Sequence, residues 1–325
     1  MSAGSSRDQS DNFLNDVFQS RFNTTRDSAS FQNDVTLGTT QLLSLGLDYL
    51  EDRIDSTTPY TVTERRNTGV FSQYQGTYGA HDLQLSVRGD DNEQFGKSTT
   101  GGVAWGYALR RDLRLVASSG NAFKAPTFNE LYFPGFGNSS LMPEESLSYE
   151  LGLRGKQTWG RWSLSAYGTQ VDNLIGFDAS FSPVNIDKAL IRGLETSANT
   201  QLAGWTLAAS LTLLDPQNRS GGANDGNVLP RRAKEIFRVD LDQSVGKLRF
   251  GGSLFIEGRR YDNLANSVEL QGYTTVDLRA TYAFAESWTL GGRITNLFDT
   301  NYETAAYFNQ DGRNIFITLR YQSLH

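Results

Sequence analysis

The 325-residue sequence contains no cysteine, so it can hold neither disulfides nor thiolate metal centres. It has two histidines, His81 and His325, which leaves little material for His-based acid–base catalysis or a His-cluster metal site. Proline is scarce, at seven residues, and no stretch approaches the roughly 18 uninterrupted apolar residues that a membrane helix needs. A basic excess is missing too. Lys plus Arg number 30 against 36 Asp plus Glu, a net charge of −6, which argues against nucleic acid as a partner. Residues 1–11, MSAGSSRDQSD, have neither the basic start nor the apolar core of an export signal.

Glycine and aromatic residues are plentiful instead: 32 Gly, 19 Phe and 14 Tyr in a chain that is 38% apolar, with a mean hydropathy of −0.45. Such a mean suggests a soluble protein. A membrane β-barrel gives the same mean, because it presents lipid with only every second residue and keeps its polar half on the other face.

Period-2 alternation dominates the chain. Leu43, Leu45, Leu47 and Tyr49 alternate with Ser44, Gly46 and Asp48. Val276, Leu278, Ala280 and Tyr282 alternate with Asp277, Arg279 and Thr281. Equivalent runs occupy 103–109, 147–154, 205–213, 248–256, 288–295 and 314–321. A strand separates these sets onto opposite faces, whereas a helix would mix them. The connections alternate as well. Tight turns are expected near Thr40, Gly79–His81, Arg110–Arg111, Thr158–Arg161, Ala203–Gly204, Gly246 and Ala285–Ser287. Long polar segments are expected over 53–66, 92–98, 122–145, 172–190, 216–230, 260–272 and 300–312. Short turns at one end and long loops at the other describe an outer-membrane barrel.

The pattern predicts an all-β, antiparallel transmembrane β-barrel of about fifteen strands, with aromatics such as Tyr74, Tyr78, Trp159, Trp162, Trp205, Trp288 and Tyr321 at strand ends as an interfacial girdle. Residues 31–325 form the barrel portion; residues 1–30 are expected to be an extracellular loop or an incomplete strand around Phe13–Phe22. A soluble β-sandwich or propeller also alternates, but these strands are long for a sandwich and no 20–50-residue repeat is present. Because an exported barrel requires a leader and membrane sheets must close, the chain is expected to be a processed product or a piece of a longer protein.

Four segments, in order, carry a resemblance. Lys124-Ala-Pro-Thr-Phe-Asn-Glu-Leu-Tyr132 is followed by Leu141-Met-Pro-Glu-Glu-Ser146, and Asn296-Leu-Phe-Asp-Thr-Asn-Tyr-Glu303 by Gly312-Arg-Asn-Ile-Phe-Ile-Thr-Leu-Arg-Tyr321. Together they resemble the KAPxxxELY, LxPExS, NLFDxxYE and closing-strand motifs of TonB-dependent receptor barrels. Arg66–Phe71, Asp90–Gly96 and Leu229-Pro-Arg-Arg-Ala-Lys234 are similar to the cobalamin-transporter branch. The resemblance implies the last fifteen of twenty-two barrel strands, without the plug domain that couples such receptors to TonB. It implies cobalamin as the transported ligand, an iron-siderophore or haem being the alternative, and outer-membrane lipid as the surroundings.

It also implies one ligand residue, Arg231, the first Arg of the Leu-x-Arg-Arg motif. Arg231, Arg232 and Lys234 also read as a plain basic strand end. The family's pocket tyrosine, shortly after a stretch like Gly258-Arg-Arg-Tyr-Asp262, corresponds here to Ala265. The loop aromatics Phe123, Phe128, Tyr132, Phe133 and Phe136 suit a corrinoid or an aromatic siderophore. Asp299 and Glu303 read as loop organisers, and Asp90-Asp91 as a solvated strand cap rather than a cation site. No metal ligand and no resident cofactor are expected. An outer-membrane protease or lipase needs acid–base groups at the rim, and neither His81, in a tight turn, nor His325, at the terminus, is placed for that; the chain is expected not to be an enzyme.

Overall fold

The computed structural model describes residues 1–178 and 180–323; His325 lies outside them. Strands β1 (Ser2–Leu14), β2 (Val17–Leu37), β3 (Gln41–Ser56), β4 (Glu64–Tyr78), β5 (His81–Asn92), β6 (Gly96–Arg110) and β7 (Leu113–Lys124) precede the short helix α1 (Phe128–Tyr132). Then come β8 (Glu144–Gln157), β9 (Gly160–Phe177), β10 (Pro183–Leu202), β11 (Trp205–Asn218), β12 (Glu235–Val245), β13 (Leu248–Glu257), β14 (Arg260–Tyr261) and β15 (Glu269–Leu270). The chain finishes with β16 (Tyr273–Ala285), β17 (Trp288–Thr295), β18 (Glu303–Ala305), β19 (Phe308–Asn309) and β20 (Asn314–Tyr321). Sixteen of these form one sheet in chain order, β1 through β13 followed by β16, β17 and β20; β14–β15 and β18–β19 are separate hairpins. Among the described residues no helix is long and apolar enough to cross a membrane.

The chain divides into two compact units: Met1–Ala108, Val116–Glu150 and Thr169–Ala189, and then Leu109–Leu115, Leu151–Gly168 and Leu190–His325. In the first, the register aligns Val35, Leu43, Tyr74, Leu85 and Val103 as one cross-strand row. The row belongs to a face whose large apolar side chains are exposed, including Leu45, Leu47, Val70 and Val87. That is the face lipid covers. At its short-turn end His81 stacks on Tyr107, with ring centroids 4.7 Å apart, and accepts a hydrogen bond from Trp105 Nε1 at 3.1 Å. His81 is therefore part of an aromatic band.

The opposite face is polar, and its charges are paired. Arg88 donates Nη1 to Asp48 at 2.5 Å, and Nε and Nη2 to Asp90 at 2.8 Å each. Gly69 pairs with both Asp48 and Asp90, and a Cβ there would collide with the Arg88 guanidinium. The glycine is what lets Arg88 cross the strand. In the second unit, Leu241, Gly252, Leu278, Ile294 and Ile315 line up on the apolar face. Arg279 lies on the polar side, donating Nε to Asp242 at 2.8 Å and Nη1 to Ser253 at 2.7 Å.

Residues 1–30, expected as a loop or an incomplete strand, form β1 and much of β2 in a hairpin whose register shifts once, between Asn12 and Phe13. The turn at Asn15-Asp16 has φ of 49° and 63°, the left-handed pair that a tight hairpin uses and that Asn and Asp tolerate. The alternation is hidden because β1 pairs with Val17–Ser30, beyond the stretch of β2 in which Phe31, Val35 and Leu37 mark one face. Strand backbone outside the hydrocarbon layer has polar groups on both faces, so period 2 carries no hydropathy signal there. The same effect shortens two expected loops. Only residues 93–95 separate β5 from β6, and β9 runs to Phe177 before β10 starts at Pro183.

Candidate functional site

In the first unit the sequence motifs build loop architecture. Thr127 caps α1 in a reciprocal capping box: its hydroxyl accepts from the Glu130 amide, and the Glu130 carboxylate accepts from the Thr127 amide at 2.7 Å. Pro126 and Leu131 are buried, and the Phe128 ring lies under the Arg65 guanidinium at 4.9 Å. Glu144 accepts from the Ile175 amide at 2.8 Å and pairs with Lys124 at 3.2 Å, joining the first motif to the second.

Of the loop aromatics expected to meet a ligand, Phe128 is buried beneath Arg65, Phe123 is half-buried on β7, and Tyr132 accepts a hydrogen bond from Gln94. Phe133 keeps 41% exposure and meets Phe136 edge-on at 6.1 Å. Tyr60 contacts Phe22 and Phe133, and its O–H donates to Asn129 at 2.6 Å; burial pushes its phenol above the usual value. Asp90, expected as a solvated strand cap, instead lies within β5 with its side chain only 15% exposed, committed to Arg88 and accepting from Asn67 at 2.7 Å. Among the described residues no three His, Cys, Asp or Glu side chains converge as a metal site.

In the second unit three connections converge on one carboxylate. Arg231 has a left-handed backbone, φ 58°, and its amide donates to the Tyr261 carbonyl at 2.6 Å. Its guanidinium grips Asp262 with Nε at 2.7 Å and Nη2 at 3.3 Å. Asp262 Oδ1 also accepts from the Ala306 amide at 3.1 Å. Asp262 therefore ties the segment after β11 and the segment after β13 to the β18–β19 hairpin. Its side chain is 4% exposed, while that of Arg231 is 44% exposed. Burial alone would raise the Asp262 carboxyl, but the Arg231 guanidinium and the Ala306 amide hold it below the usual carboxylate range.

Neighbouring cations are compensated in the same way. Arg260 is buried and pairs with Glu257 at 2.8 Å, and Arg259 pairs with Glu269 at 3.4 Å. Leu229 and Ala233, on either side of the Arg-Arg pair, are buried and anchor the segment, and the Leu229 amide donates to the Pro216 carbonyl at 2.9 Å. Asn227 Nδ2 donates to the Leu264 carbonyl at 2.9 Å, next to the exposed Ala265. The site thus offers the half-exposed Arg231 guanidinium, with Arg259 and Arg260 nearby each paired to a carboxylate.

The family model described as "TonB dependent receptor-like, beta-barrel" matches residues 2–297. The chain belongs to the TonB-dependent receptor β-barrel family. It is 34% identical over 328 residues to the vitamin B12 transporter BtuB of Photobacterium profundum, covering 97% of this chain and 53% of that protein. It is 32% identical to the BtuB of Vibrio vulnificus, over 91% of this chain and 50% of that one. The chain spans about half the length of the curated relatives it matches.

Its fold is that of solved receptors. The ferric enterobactin receptor of Pseudomonas aeruginosa in complex with enterobactin superposes with a TM-score of 0.79 at 18% identity, over 98% of this chain and 59% of that one. The siderophore receptor PirA of Acinetobacter baumannii gives 0.75 at 18% identity, over 95% and 56%. The chain is an outer-membrane β-strand protein of a receptor family, and its relatives are transporters and receptors.

In the receptor barrel, the NLFD segment is a loop organiser. Asn296 is buried, with φ 49°; its Nδ2 donates to the Thr300 carbonyl at 2.9 Å and its Oδ1 accepts from the Thr300 amide at 2.9 Å. Asp299 accepts from the Arg313 amide at 2.7 Å, and Glu303 from the Tyr307 amide at 3.0 Å. Tyr302 stacks on Tyr273 at 4.0 Å, and burial raises its phenol. The residue that sequence reasoning left unassigned is Asp262. It stood in the quoted Arg-Arg-Tyr-Asp stretch, but only the fold brings it to Arg231, 31 residues earlier.

Proposed function

We propose that the chain is the ligand-binding barrel portion of a cobalamin receptor, with Arg231 as a ligand contact. The observation that carries this reading is the identity of about one-third to a vitamin B12 transporter along 97% of the chain. Electrostatics support it. Arg231 donates through two of its nitrogens to Asp262, while Nη1 makes no hydrogen bond among the described residues. One partly neutralised guanidinium suits the amide carbonyls and single phosphate of a corrinoid. A highly charged ferric catecholate would be held better by uncompensated cations. Coupling to TonB through a plug domain is part of the same proposal.

The test is uptake of radiolabelled cyanocobalamin by cells of the source organism with and without the gene that encodes this chain. Loss of saturable uptake on deletion is the expected result. Unchanged cobalamin uptake, together with loss of a ferric siderophore or haem, would replace cobalamin by that chelate.

A further inference from the structure

The β18–β19 hairpin holds an aromatic residue in a conformation that needs a reason. Tyr307 sits at its tip with φ 69°, the left-handed region in which a side-chain-bearing residue costs roughly 1 kcal/mol and glycine costs nothing. Its side chain is almost entirely in solvent, the residue being 87% exposed, and its ring makes no hydrogen bond or ring contact among the described residues. Burial therefore does not offset the strain. The backbone is nevertheless fixed from two sides. Glu303 accepts from the Tyr307 amide at 3.0 Å, and Asp262 Oδ1 accepts from the preceding amide, Ala306, at 3.1 Å. That same oxygen holds Arg231 Nε at 2.7 Å. The guanidinium and the hairpin tip are thus fastened to one atom, and the exposed ring belongs to the residue next to the fastening.

An exposed, unpartnered ring on a backbone fastened to the same carboxylate as an exposed cation is the composition of a ligand contact: the aromatic supplies apolar area with few torsions to order, and the cation supplies direction. Strain kept at a position where it gains no packing points the same way. We propose that Tyr307 is a ligand-contacting residue, its ring packing against the flat face of the corrin macrocycle while Arg231 meets a polar substituent at its edge. This rests on the cobalamin reading above. It also gives the site an aromatic contact that Ala265, the position expected for one, does not supply.

Three variants separate contact from conformation: Tyr307→Ala, Tyr307→Gly and Tyr307→Phe, each in the full gene and measured by equilibrium binding of radiolabelled cyanocobalamin to outer membranes, normalised to receptor amount. Loss of the ring should weaken binding roughly fivefold to tenfold in both Tyr307→Ala and Tyr307→Gly, with Tyr307→Phe close to the parent. If Tyr307→Gly binds as well as the parent, the residue serves only the turn and the inference is overturned. Equal binding by all three overturns it as well, while the cobalamin reading stands. If the parent itself does not bind cobalamin, that reading falls and this inference falls with it.

Discussion

Arg65 donates Nη1 to the carbonyl of Pro126 at 2.8 Å, across 61 residues of chain. Its guanidinium also covers the Phe128 ring, so one side chain of β4 holds both Pro126 and Phe128 in place. The Pro126 side chain is fully buried, and little water can replace this donor.

Arg65→Ala should therefore release the segment 125–143. Leaving a buried carbonyl without a donor costs about 1–3 kcal/mol. The expected outcome is faster protease cleavage within 125–143 on intact cells, at unchanged receptor amount. Arg65→Lys should restore only part of the protection, because a single ammonium cannot both donate to the carbonyl and spread over the ring.

Asn296 offers a second check on loop architecture. Its side chain bonds to Thr300 in both directions, and its amide donates to Asp277 at 3.0 Å. Asn296→Ala removes the side-chain bonds and places a Cβ residue without them at φ 49°, so a loss of about 2–4 kcal/mol is expected. The temperature at which the detergent-solubilised receptor loses its β-sheet circular dichroism reports it.

The assignment of faces predicts an asymmetry. Val87 lies on the apolar face, is 53% exposed, and pairs with Ser72 and Gly101. An arginine there would meet hydrocarbon, at about 2–4 kcal/mol if near the bilayer midplane. Val87→Arg should lower the amount of receptor in the outer membrane. Gln84→Arg, on the polar face of the same strand, should leave it near the parent level.

Arg231 and Asp262 should behave as one unit. Arg231→Ala and Asp262→Ala are each expected to weaken cobalamin binding, and the double variant should be no weaker than the poorer single one, which a double-mutant cycle in outer membranes measures.

The same pair sets an acid limit. The folded-state value of Asp262 is depressed, so its contribution is fully present above the ordinary carboxylate value of 3.8 and is lost as pH falls through the depressed value. Protease protection of the 258–272 segment should hold from neutrality down to about that value and decline only below it. Asp262→Asn should flatten this decline and lower protection at neutral pH.

The strands that cross the apolar layer were legible because there the two faces meet different surroundings, and side chains such as Leu43, Leu45 and Leu47 record the difference residue by residue. Beyond that layer the record stops. The hairpin Ser2–Leu37 is paired along its length, yet β1 has polar side chains on both faces and reads as a loop. Asn296, Asp299 and Glu303 were legible as loop organisers, because Asn and Asp bonding to nearby backbone is a local affair. Asp262 was not, because its partners Arg231 and Ala306 lie 31 and 44 residues away.

The sequence by itself determined the strand-built class, the membrane-facing set of side chains and the receptor family, since alternation and short motifs are properties of neighbouring residues. Only the tertiary structure decided which loop aromatics are structural supports, which carboxylate orients Arg231, and that a strained tyrosine is fastened beside it. Those depend on where connections separated by whole strands meet, and chain spacing carries no record of that meeting.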